Sequence, residues 1–199
     1  MLDNEKTRAV VGNFVNPIAN LMIKAGVSSN AITLIGTLGI SISALLFFPT
    51  GNFFWGTLII LIFVLSDLLD GTVARLSGSV NPVGAFLDST MDRITDAALF
   101  GSIVIYYSSQ DSIMLLPALI TAFCAQLISY IRAKAESVNI PMKIGIAERP
   151  ERMILLLIGT GFTGLGLSNA LDFAVALLSF LTVYTVLQRM KAAYQAISK

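Results

Sequence analysis

Residues 53–75 read FFWGTLIILIFVLSDLLDGTVAR, and residues 83–107 read VGAFLDSTMDRITDAALFGSIVIYY. Each is long and apolar enough to cross a bilayer, which takes ~20 residues of helix. Each nevertheless carries paired carboxylates, Asp67 and Asp70 in the first, Asp88 and Asp92 in the second. Spacings of three and four put each pair on one helical face. Counted from the turn at residues 77–81, Asp70 and Asp88 each lie roughly two turns into their helices. With the two helices packed antiparallel, all four carboxylates meet at similar depth.

An unpaired aspartate inside a membrane costs ~2.5–3.5 kcal/mol on insertion scales, and four of them also repel one another. Arg75 and Arg93 are near in sequence, but two guanidiniums do not neutralise four carboxylates. Arg93 is expected to point away from the Asp88/Asp92 face. One or two hard divalent cations with oxygen ligands are the economical compensation, magnesium, manganese or calcium. The chain has no His and one Cys, Cys124, in an apolar run, which removes His-based triads, His metal sites and disulfides within one chain.

Outward from these two runs the same pattern continues. Of 199 residues 55% are hydrophobic and 13% charged, against about 25% charged in soluble domains. The mean hydropathy of +0.80 excludes a disordered chain as well. Six apolar runs are legible, at about 30–48, 53–75, 83–107, 112–134, 151–168 and 170–188. Ahead of them, Val10, Val11, Phe14, Val15, Ile18, Leu21, Met22 and Ala25 recur at helical spacing. That stripe predicts an amphipathic helix at about 6–25 lying along the membrane surface. The expected fold is all-α and integral to the membrane: an interfacial helix, then six transmembrane helices, in one domain over residues 1–199, with the bundle at about 30–190. With six crossings, all thirteen Lys and Arg residues fall on the side of the termini and the second and fourth loops. The opposite loops hold only Asp111 and Asp172, so both termini are expected in the cytoplasm.

Gly71 costs a helix ~1 kcal/mol and lets a ligand approach the backbone; Gly84 and Ala74 keep the facing surfaces bare in the same way. The full pattern is Asp67-x2-Asp70-Gly71-x2-Ala74-Arg75-x8-Gly84-x3-Asp88-x3-Asp92. It resembles the signature of the CDP-alcohol phosphotransferase family at every fixed position. The resemblance implies an enzyme in which an alcohol hydroxyl attacks the lipid-side phosphorus of a CDP-linked lipid and CMP leaves. It implies Asp67, Asp70, Asp88 and Asp92 around magnesium, or manganese, with Asp92 the general base. CDP-diacylglycerol would be bordered by Asn30, Thr33, Asp67, Asp70, Gly71, Ala74, Arg75, Asn81, Gly84 and Asp88. Asn and Thr at helix starts are equally readable as caps. Asp96, one turn beyond Asp92, is read as a polar contact between helices.

The acceptor is read from the fourth loop and its flanks. Arg132, Lys134, Arg149, Arg152 and Arg189 gather cations at the cytoplasmic edge, which suits either anionic lipid or a phosphate pocket. The segments around 129–136 and 148–152 are similar to those of the family's bacterial members that use myo-inositol 1-phosphate. That likeness implies Arg132, Lys134, Arg152 and Arg189 on the acceptor phosphate, with Pro150 shaping the loop. The expected products are phosphatidylinositol phosphate and CMP; glycerol 3-phosphate is the rival acceptor. A divalent-cation channel explains buried carboxylates but not Gly71, Ala74, Arg75 and Gly84 at fixed intervals. A homodimer in a bacterial cell membrane, among membrane lipids and with no nucleic-acid partner, completes the expectation.

Overall fold

The computed structural model describes residues 5–79 and 81–198, with the side chains of residues 5–14, 67 and 68 outside the description. The described residues form eight α-helices and no strand: α1 (Glu5–Lys24), α2 (Ser29–Phe47), α3 (Phe53–Val64), α4 (Ser66–Leu76), α5 (Pro82–Ser109), α6 (Leu115–Ser137), α7 (Arg149–Gly164) and α8 (Ala170–Ile197). The run at 53–75 is broken into α3 and α4 at Leu65. There the Ser66 hydroxyl donates to the Phe63 carbonyl at 2.6 Å and competes with the helix ladder.

Four stretches are long and apolar enough to cross a membrane: Ser29–Phe47, Phe53–Leu76, Leu115–Ser137 and Ala170–Ile197. The other two of the six runs differ for physical reasons. The 28 residues of α5 carry Asp88, Asp92, Arg93 and Asp96 between its second turn and its middle, and α7 has only 16 residues, about 24 Å of helix. Apolar side chains such as Leu38, Ile42, Trp55, Ile62, Phe123, Phe173 and Phe180 are exposed, as in a chain whose solvent is lipid. Asp172, placed by sequence in a loop, sits in the first turn of α8, where Tyr107 donates to its Oδ1 at 2.6 Å.

The chain divides into two compact units, Met1–Ser41 with Ile59–Thr95, and Ile42–Leu58 with Asp96–Lys199. In the first unit α1 packs on α4. Ala19, Met22 and Ile23 meet Ile32, Leu69 and Val73, while Ile18 and Leu21 on the neighbouring face stay exposed. Of the apolar stripe read from sequence, Val10, Val11 and the ring of Phe14 lie outside the described side chains. Ala25 is exposed, and the buried line is shifted to Ala19 and Ile23. Gly26, at φ +74°, ends α1: its N–H reaches Ile23 O and that of Val27 reaches Met22 O, closing the last turn. Gly36 and Gly39 of α2 admit Ser66 and the Phe63 ring, positions where a Cβ would collide with either side chain.

In the second unit α8 packs against both α6 and α7. Its core includes Ala125, Ile128, Leu156, Leu171, Ala174 and Leu178, and a buried Thr57–Thr160 hydroxyl pair joined at 2.7 Å. Gly159 and Gly164 let Ala174 and the backbone of Phe54 approach closely.

Candidate active site

The two halves of the aspartate pattern are tied by the turn between them. Gly78, at φ +67°, ends α4, with its N–H on Arg75 O and that of Ser79 on Ala74 O at 3.0 Å. Asn81 then caps α5: its Oδ1 accepts the Gly84 N–H at 2.8 Å, and Pro82 follows at the first helical position. Asn81 Nδ2 donates to Ser79 O at 2.8 Å. The helix-cap reading of Asn81 is therefore realised in the structure.

The first turn of α2 touches both halves. Thr33 Oγ1 donates to Asp70 Oδ2 at 2.6 Å, fixing a carboxylate that is only 8% exposed. One turn earlier, Asn30 Oδ1 lies 3.5 Å from where a Cβ on Gly84 would stand. Asn30 and Thr33 thus lie inside α2, not ahead of it, and bring Asp70 of α4 and Gly84 of α5 to one place. Asp88 and Asp92 follow Gly84 at four-residue steps along α5, Asp88 exposed and Asp92 partly buried. Arg93, expected to face away, comes back to Asp92, Nη2 to Oδ2 at 3.7 Å. Arginine is long enough to reach a neighbour that adjacent helix positions do not bring together.

Among the described side chains, a Cβ on Gly71 would meet Arg75 Nη1 alone, at 3.8 Å, and Arg75 Nη2 donates to Thr72 Oγ1 at 3.1 Å. Ala74 is partly exposed on the same helix. Beside Gly71 in sequence, the Asp70 carboxylate and the Thr33 hydroxyl that meets it are oxygen donors of the kind that suits Mg2+ or Mn2+. Among the described residues no three acidic side chains converge closely enough to hold an ion. The expected quartet also includes Asp67, whose side chain lies outside the description.

The second unit holds the cations singled out in the sequence. Arg152 is 1% exposed; its Nη2 donates to Asp96 Oδ2 at 2.7 Å and its Nη1 to Ala147 O at 2.9 Å. Its Nε is buried without a hydrogen-bond partner among the described residues. Arg149 Nε approaches the other oxygen of Asp96 at 3.6 Å. Arg189, equally buried, gives Nε to Ile144 O, Nη1 to Ile128 O and Nη2 to Glu148 Oε1 at 3.2 Å. Arg132 pairs with Glu136 at 2.9 Å on an exposed face, and Lys134 is exposed. Asp96 is the polar contact between helices that its position suggested. Its partner, and the roles of Glu148 and Arg149, had no local sequence signal, because Asp96 and Arg152 are 56 residues apart.

Residues 27–187 match the family model described as CDP-alcohol phosphatidyltransferase. The chain is 39% identical over 197 residues to a phosphatidylinositol phosphate synthase of Streptomyces avermitilis, covering 94% of this chain and 80% of the relative. It is 41% identical over 183 residues to the Corynebacterium glutamicum protein of the same name, covering 90% and 83%. Among solved structures, the fold is similar to Mycobacterium tuberculosis phosphatidylinositol phosphate synthase with CDP-DAG bound. The TM-score is 0.86 at 34% identity, covering 92% of this chain and 94% of that one. The same enzyme in complex with manganese and citrate gives a TM-score of 0.86 at 35% identity, covering 89% and 88%.

Proposed function

The chain belongs to the CDP-alcohol phosphatidyltransferase family, and from that premise we propose that it moves the phosphatidyl group of CDP-diacylglycerol to myo-inositol 1-phosphate. The observation that carries the reading is one turn of α2 gathering Asp70 and Gly84, the two halves of an intact eight-residue pattern. The inositol phosphate hydroxyl attacks the lipid-side phosphorus, the bond to the CMP phosphate breaks, and phosphatidylinositol phosphate and CMP result.

Asp92 takes the proton of the attacking hydroxyl, and its partly exposed position on α5 suits a group that must meet substrate and return the proton to water. Asp67, Asp70, Asp88 and Asp92 would hold Mg2+ or Mn2+, one or two ions. The bound metal supplies neutralisation of the pyrophosphate and of the charge growing on the leaving CMP. Thr33 holds Asp70 in a fixed rotamer, and Gly71, Ala74, Arg75, Gly84, Asn30 and Asn81 border the nucleotide. Arg132, Lys134, Arg152 and Arg189 bind the acceptor phosphate; the open Nε of buried Arg152 is a donor in want of an acceptor.

The reading places one family domain in a cell membrane with six crossings, α5 and α7 completing the four long spans. Both termini and the site face the cytoplasm. The outer face of α1, with Ile18 and Leu21, lies in the interface. A homodimer is inferred from the family, and light scattering in detergent reads it.

The test is CMP release from CDP-diacylglycerol and magnesium, with inositol 1-phosphate, glycerol 3-phosphate or free inositol supplied separately. Release with inositol 1-phosphate alone is expected. It should be abolished by EDTA and restored by excess Mg2+ or Mn2+. Release with glycerol 3-phosphate alone overturns the acceptor, and release with none from folded protein overturns the enzyme.

A further inference from the structure

Thr185 is fully buried in α8, one turn before Arg189. Its hydroxyl donates to Leu181 O at 2.8 Å and accepts the Ala147 N–H at 3.1 Å. The carbonyl of Ala147 in turn accepts from Arg152 Nη1 at 2.9 Å, and that of Ile144 accepts from Arg189 Nε at 2.7 Å. Between them Gly145, at φ +148°, lies flat on the same helix. A Cβ there would stand 2.8 Å from Thr185 Cγ2 and 3.3 Å from Arg189 Nε. Residues 144–147 therefore form a backbone strap seated on Thr185, and two of its carbonyls aim the two buried guanidiniums. Neutral carbonyls orient the two guanidiniums; Asp96 and Glu148 each take one of their nitrogens, and Arg152 Nε, without a partner among the described residues, is the donor left for an incoming phosphate.

We propose that Thr185 is a positioning residue for acceptor binding, acting through the 144–147 strap on Arg152 and Arg189. The inference rests on the reading of those arginines as the phosphate site. Thr185→Val keeps nearly the same shape but orphans the buried Ala147 N–H, so the strap must move to recover a partner. Thr185→Ser keeps the hydroxyl.

Initial rates of CMP release in micelles, with each substrate varied in turn, separate this from a merely structural role. Thr185→Val is expected to raise the acceptor KM about tenfold, equivalent to about 1.4 kcal/mol. The KM for CDP-diacylglycerol and kcat should stay within about twofold, the pattern of lost acceptor binding. Thr185→Ser should return the acceptor KM to within about threefold of the parent, since the hydroxyl is retained. An unchanged acceptor KM in Thr185→Val, a parallel rise in both KM values, or no recovery in Thr185→Ser overturns the proposal. Should Thr185→Val fail to fold, Gly145→Ala displaces the same strap from outside any helix. The same split is then expected, and normal acceptor KM in that variant overturns the proposal. The split is read with whichever phosphorylated alcohol the parent protein uses, so a wrong acceptor identity and a wrong role for Thr185 give different results. If no phosphorylated alcohol supports CMP release, both readings fall together.

Discussion

Replacing Asp96 by Asn, Arg152 by Gln, and both together probes the buried charge balance of the Asp96–Arg152 pair. Asp96 and Arg152 side chains are 2% and 1% exposed and meet at 2.7 Å, with Arg149 at 3.6 Å from the second oxygen. Removing one partner of a buried pair costs about 3–5 kcal/mol, because the remaining charge is stranded away from water. Asn keeps a carbonyl acceptor for Arg152, which places Asp96→Asn near the lower end, about 3 kcal/mol. Arg152→Gln should cost less than that, since Arg149 stays beside Asp96 to balance it. The double variant pairs two neutral amides that can still hydrogen-bond, and it is expected to be no less stable than Asp96→Asn alone. Unfolding of the four proteins in mixed micelles, followed by far-UV circular dichroism as the SDS fraction rises, gives the cycle. Single effects that add to within about 0.5 kcal/mol would refute the pairing.

Three further outcomes are expected. Among the described side chains Gly71→Ala meets Arg75 Nη1 alone, at 3.8 Å; it should stabilise the fold by up to about 1 kcal/mol through helix propensity while weakening protection by CMP against heat. Unchanged CMP protection would show that Gly71 serves helix packing and not the nucleotide. Gly39→Ala drives a methyl into the Phe63 ring and should lower stability by about 1–3 kcal/mol, as overpacking does; an unchanged unfolding midpoint contradicts the α2–α3 contact. Asp92→Asn should reduce CMP release by about 10²–10⁴-fold, the range for a lost general base, with CMP protection retained. Loss of both together would make Asp92 a binding residue instead.

What the sequence offers of the candidate site rests on local signals. Asp67, Asp70, Asp88 and Asp92 announce themselves as charges in apolar helices, and Gly71 and Gly84 as small residues at turns of the same faces. Asn81 was readable as a cap from its place at a helix start, and the structure shows the bond to Gly84 N–H. Thr33 was visible only as a residue near a helix start; its bond to Asp70 spans 37 residues. Gly36 and Gly39 gave no sign of what they admit, because their neighbours Ser66 and Phe63 belong to other helices, α4 and α3. The arginines were legible as a cationic cluster, but not the strap of residues 144–147 that orders them.

The sequence by itself determined an all-helical, apolar chain, the approximate extent of its apolar runs, and the family signature of its aspartates. Those follow from hydrophobicity and from spacing within single turns, quantities that each segment carries alone. Only the tertiary structure decided that Arg152 rests on Asp96, that Arg189 is held by main-chain carbonyls of Ile128 and Ile144, and that Thr185 seats the strap. A buried guanidinium takes its partner from whichever helix packs over it, and that choice is made by the fit of distant faces.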